Sequence, residues 1–216
     1  MSLVLEINAA ASIVKPLDHH VNMTVSMKLL KSLDWTISTI RFLKNHFLTI
    51  FGLGLVAAFG RAIQLKAFGP VSPLSNTLLE LVVESARILI FLYTLGLTNV
   101  RKGVVRLVQF ATNKQGREQG WRLAIQKMRT NWGSLLVNLV AFLGIAFLFN
   151  ALITHIAYET CLYITLKSRQ VISSQASEWA IILFFKNISV IPFTLVFNAL
   201  FCLWLVNQLP RRMAYK

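Results

Sequence analysis

The sequence predicts an all-α integral membrane protein: a bundle of four transmembrane helices, with an N-terminal amphipathic helix and a helical cytoplasmic hairpin extending spans two and three. Three observations carry that expectation. Of the 216 residues, 56% are hydrophobic and only 14% charged, too apolar a balance for an ordinary soluble domain. Four stretches have the length needed to cross about 30 Å of hydrocarbon at about 1.5 Å per residue. Finally, 22 Lys and Arg stand against 8 Asp and Glu, a net charge of +14. Most of that charge must lie outside the hydrocarbon, where an ion is costly.

The chain reads as one membrane domain. Residues 1–24 lack the basic start and unbroken apolar run of a signal peptide and are expected to remain as a cytoplasmic tail. Over 25–46, Leu30, Leu33, Ile37 and Ile40 recur at helical spacing, while Lys28, Lys31, Asp34, Arg41 and Lys44 take other faces. That pattern predicts an amphipathic helix on the membrane surface. Span one, about 47–68, contains FLTIFGLGLVAAFG followed by Arg61 and Lys66, and its Gly54 and Ala58 allow close helix approach. Span two, about 78–100, carries Glu80, Glu84 and Arg87 in its first three turns. Span three, about 134–158, is free of ionic residues until its end. Span four, about 179–206, holds Lys186 near its start and Pro192 inside, where a missing backbone N–H predicts a kink.

Orientation follows from the basic residues, which are retained on the cytoplasmic side. The 101–133 connection holds Arg101, Lys102, Arg106, Lys114, Arg117, Arg122, Lys127 and Arg129 with one acid, Glu118. It is therefore expected inside, as a helical hairpin that turns at TNKQGREQG. Parity puts both termini inside, in agreement with Lys15, Lys28, Lys31, Arg41 and Lys44 before span one, and Arg211, Arg212 and Lys216 in the 207–216 tail. Trp132, Trp179 and Trp204 fall at span ends, as an interfacial belt requires. Retained basic termini without a targeting peptide point to a bacterial inner membrane.

Within the spans, Arg61, Glu80, Glu84, Arg87, His155, Glu159 and Lys186 fall in one layer toward the outer side. Positions 80, 84, 87, 91, 94 and 98 share one stripe of span two, expected to face protein rather than lipid. The spacing predicts a Glu84–Arg87 pair within the helix, and a pair from Lys186 to Glu80 or Glu84 between helices. Such a layer serves either as an ion-pair lock that fixes helix register or as a pathway for an ion or polar substrate. Asn138, Asn150 and Asn198 are expected to act as amide glue between helices.

Catalytic signatures are missing: the chain has no HExxH, GxSxG, CxxC or Walker loop. Cys161 and Cys202 fall near opposite membrane faces, so no disulfide is expected, and no cofactor or metal is implied. His155 with Glu159 is the one candidate acid/base pair for a lipid-modifying enzyme. The expected role is a non-enzymatic membrane subunit that oligomerises or docks other protein subunits through Arg101, Lys102, Arg106, Arg117, Arg122, Lys127 and Arg129. Those residues also suit anionic headgroups of the lipid bilayer, whereas nucleic acid is disfavoured for want of a recognition motif. The alternative is a small oligomeric channel or transporter built on the charged layer.

Overall fold

The computed structural model describes residues 33–209. These are all-helical, and three helical segments among them are long and apolar enough to cross a membrane: Phe47–Gln64, Trp132–Tyr158 and Glu178–Leu205. The expected 1–24 tail, the first part of the 25–46 helix and the basic residues 211, 212 and 216 lie outside the described residues.

In chain order the helices are α1 (Asp34–Asn45), α2 (Phe47–Gln64), α3 (Pro73–Leu95), α4 (Val100–Thr112), α5 (Lys114–Thr130), α6 (Trp132–Tyr158), α7 (Leu162–Ser168), α8 (Glu178–Ile188) and α9 (Val190–Leu205). Helix α2 packs on α3 and α8, and α9 packs on α3, α1 and α8. Helix α6 touches α8, α1 and α9 but buries little of itself; Leu139, Val140, Leu143, Phe147, Leu148 and Leu152 are exposed. An apolar face of that length suits an apolar surrounding.

Several boundaries differ from expectation for identifiable reasons. Span one ends at Gln64 rather than 68, because Lys66 (φ 60°) and Gly69 (φ 117°) turn the chain. Helix α3 starts at Pro73, five residues earlier than expected: the Ser72 side chain accepts from Ser75 N, and proline suits a first helical turn. It also stops at Leu95 instead of running on to 100. Leu97 (φ 46°) and Thr98 (φ 82°) are left-handed, and Asn99 caps a new helix by accepting from Lys102 N at 3.2 Å. The hairpin is thus not a continuation of span two. Thr98 leaves the predicted stripe, whereas Thr94 stays in it, fully buried and donating to Ile90 O. The expected kink in span four is a break at Ser189 between α8 and α9, three residues before Pro192. Gly54 lies against this break: a Cβ there would sit 3.0 Å from Asn187 O.

The described part of the expected amphipathic surface helix is α1, and it behaves differently. Trp35, Thr36, Ser38, Thr39 and Phe42 are buried, while Ile40 is exposed. Two of these polar side chains have hydrogen-bond partners in place: Asn138 Oδ1 on α6 takes Thr36 N at 3.1 Å and Thr36 Oγ1 at 2.8 Å, and Thr39 Oγ1 donates to Trp35 O at 2.8 Å. Trp35 packs edge-on against Phe201 and Trp204 of α9, so the start of α1 and the end of α9 lie at the same end of the bundle. Further along, Phe42 joins Ile90, Leu95, Val196, Leu200 and Leu203 in the main core cluster. At the α1–α2 bend His46 faces the Tyr93 hydroxyl across 3.2 Å, and burial pushes its imidazolium pKa down.

Candidate functional site

Two arrangements carry the charged residues. The first joins α2, α3 and α8. In the last turn of α2, Arg61 forms a bidentate pair with Glu80, at 2.6 and 2.8 Å, and reaches Glu84 at 3.0 Å. Gln64, also on α2, accepts from Arg61 and donates to Glu80 Oε2 at 2.9 Å. One turn deeper, Arg87 donates to Glu84 at 2.6 Å and to Asn187 Oδ1 on α8 at 2.8 Å. Asn187 is itself buried and closes the network by donating to Leu183 O at 2.7 Å.

The set contains two arginines and two glutamates, so its formal charges cancel. The expected Glu84–Arg87 pair is present. The expected pair from Lys186 to Glu80 or Glu84 is not: among the described residues Lys186 forms no ion pair, because Arg61 already occupies both carboxylates. A planar guanidinium serves two carboxylates at once, which an ammonium does less well. His155 and Glu159 do not join the network; both are exposed at the end of α6. Sequence reasoning had no signal for Gln64. Asn187, which it did not single out either, ties α8 to Arg87 of α3.

The second arrangement is the α4–α5 hairpin at the end of the bundle where α1 begins and α9 ends. It meets the body through small residues. Gly103 lies so close to the end of α3 that a Cβ would stand 2.1 Å from Leu92 O. Next to it, Arg106 Nη1 donates to Leu95 O, the last residue of α3, where a cation meets the negative end of the helix dipole. Lys127 does the same for α9: its ammonium donates to Trp204 O at 2.6 Å and Asn207 Oδ1 at 2.5 Å, over the Trp204 ring. Burial pushes the Lys127 pKa down. Arg106 and Lys127 are therefore helix caps as well as cations, which the sequence pattern does not distinguish. The other predicted contact residues, Arg101, Lys102, Arg117, Arg122 and Arg129, are exposed.

Between the hairpin and the ends of α3 and α9 is a cavity of about 560 Å³, lined by Phe91, Leu95, Phe110, Trp121, Ala124 and Leu203 among others. The closeness at Gly103 makes a prediction. Gly103→Val should force α4 away from α3, costing about 1–3 kcal/mol, the usual range for overpacking. Limited proteolysis within 100–130 should accelerate; an unchanged cleavage pattern would refute the close contact.

Among the described residues no group of three His, Cys, Asp or Glu side chains is placed to hold a metal ion, and Cys161 and Cys202 are free and exposed. No protein-family model matches the chain, and no curated protein and no solved structure matches it. The class defined by the fold is an all-helical one over the described residues, with three helices among them long and apolar enough to cross a membrane.

Proposed function

We propose that the chain is a non-enzymatic subunit of an integral membrane assembly, anchored by four spans and presenting the α4–α5 hairpin to an acidic partner protein. The fourth span in this reading is α3. Its 23 residues reach about 35 Å, and its two glutamates and one arginine are compensated by Arg61. The contact of Trp35 with Trp204 supports termini on one side, and the basic hairpin at that end supports the cytoplasmic side of a bacterial inner membrane.

The observation that carries the docking role is the hairpin's uncommitted surface. Arg101, Lys102, Lys114, Arg117, Arg122 and Arg129 are exposed, and among the described residues none forms an ion pair. Val104, Val105, Val108 and Ile125 are exposed beside them. Basic residues around apolar ones suit an acidic, partly apolar protein surface. Self-cancelling charges in the α2–α3–α8 network favour a lock over the channel or transporter alternative.

The test is a double charge reversal, Arg117→Glu with Arg122→Glu, chosen because both side chains are exposed and cap nothing. Recovery of the co-purifying partner should fall about tenfold or more, since each lost pair is worth up to about 1 kcal/mol and reversal adds repulsion. Thermal stability should hold. Undiminished co-purification would remove the docking role.

A further inference from the structure

The cavity beneath the hairpin has a feature that the docking surface does not explain. Its walls are largely apolar, formed by Phe91 and Leu95 of α3, Phe110 of α4, Trp121 of α5 and Leu203 of α9. One cation, Arg106, stands in that wall. Only its bond to the Leu95 carbonyl is formed, out of five possible donors, and no carboxylate pairs with it among the described residues. A half-buried guanidinium without a counter-ion is unfavourable, and an anion brought to it recovers that cost. Gln109 and Gln119 also line the cavity and add polar groups to it.

An occupant that satisfies both features needs hydrocarbon and a single anionic group. Inorganic phosphate would leave the apolar wall empty, and an uncharged chain would leave Arg106 unpaired. The volume of about 560 Å³ lies within the roughly 300–1,000 Å³ of small-molecule sites. We propose that the cavity binds one anionic phospholipid of the surrounding bilayer, an acyl chain lying among Phe91, Phe110 and Trp121 and the phosphate meeting Arg106. The proposal rests on the membrane reading given above, which places this basic end at headgroup level. Binding there would also fasten the hairpin to the bundle, since the lipid would touch α3, α4, α5 and α9 together.

Gly120 offers a clean test. Gly120 lines the cavity and a Cβ there meets nothing within 4 Å, so Gly120→Leu adds bulk at the cavity wall without displacing the backbone. The full chain is reconstituted in nanodiscs of equal phosphatidylglycerol and phosphatidylcholine, re-extracted in mild detergent, and its retained lipid identified by native mass spectrometry. The wild-type protein should retain one phosphatidylglycerol in preference to phosphatidylcholine. Gly120→Leu should abolish retention. Arg106→Gln should reduce the preference about tenfold or more, the value of one charge-assisted hydrogen bond, and Arg106→Lys should keep most of it. Circular dichroism on each variant reads the fold separately.

Equal retention of the two lipids by the wild type, or retention unchanged by Gly120→Leu, overturns the proposal. Carbonate extraction of expressing membranes tests the underlying reading on its own. Protein that leaves with carbonate overturns the membrane assignment, whereas protein that stays embedded yet retains no phosphatidylglycerol overturns the lipid site alone.

Discussion

Arg87→Leu is expected to lower unfolding stability by about 3 kcal/mol, because it strips donors from two partners at once. Glu84 loses its 2.6 Å bond, and the buried Asn187 Oδ1 loses both bonds from the guanidinium. Glu84 is half-exposed, so its share is modest. The larger share belongs to Asn187, whose amide oxygen has no route to solvent once α8 is packed. Thermal unfolding in detergent reads the loss. The companion variant Arg87→Leu with Glu84→Leu and Asn187→Leu removes the orphaned groups along with the arginine, and it should recover most of the stability. That recovery is the mark of a lock. A pathway for ions gives the opposite result: Arg87→Leu would fold normally and alter flux in liposomes.

Trp35→Ala is expected to cost about 3–5 kcal/mol, the range for deleting a large buried aromatic. Trp35 is 3% exposed and packs edge-on with Phe201 and Trp204, centroids 4.8 and 4.3 Å away, and with Phe197 at 6.2 Å. Neighbouring Thr36 is bonded to Asn138 of α6, so loosening α1 opens two interfaces together. Trp35→Phe provides the contrast. The indole Nε1 is buried without a hydrogen-bond partner among the described residues, so phenylalanine keeps most of the packing and removes an unsatisfied donor. Denaturant titration should therefore show a large loss for alanine and a small change for phenylalanine. Equal losses would mean that the indole has a partner.

Much of the architecture was legible in the residues because helix length and apolarity are properties of local runs of sequence. The stretches about 47–68, 134–158 and 179–206 each became a segment of spanning length, and Pro192 marked the break in the last. Glu84 and Arg87 were paired correctly, since three residues along a helix is a fixed distance. Lys186 was not, because which helix faces α3 at that depth depends on tertiary packing, and α2 brought Arg61 there first. The expected outward and inward faces of α1 matched only in part, for a related reason. Periodicity reports which residues share a face, but the inward face here is chosen by Asn138 and the aromatic cluster of α9, neither of which is near α1 in the chain.

What the sequence by itself determined is composition and pattern: an apolar, strongly basic chain with helices long and apolar enough to cross a membrane, and charges that gather in its connections. That follows from transfer free energies, which are properties of single residues and local runs. What only the tertiary structure decided is how each charge is employed. Arg61 and Arg87 are consumed by a neutral network, Arg106 and Lys127 cap helix ends, and Arg101, Lys102, Arg117, Arg122 and Arg129 are left exposed. Composition is blind to that division, because a cation's role depends on which carboxylates and carbonyls lie within about 3 Å of it, and distant parts of the chain supply them.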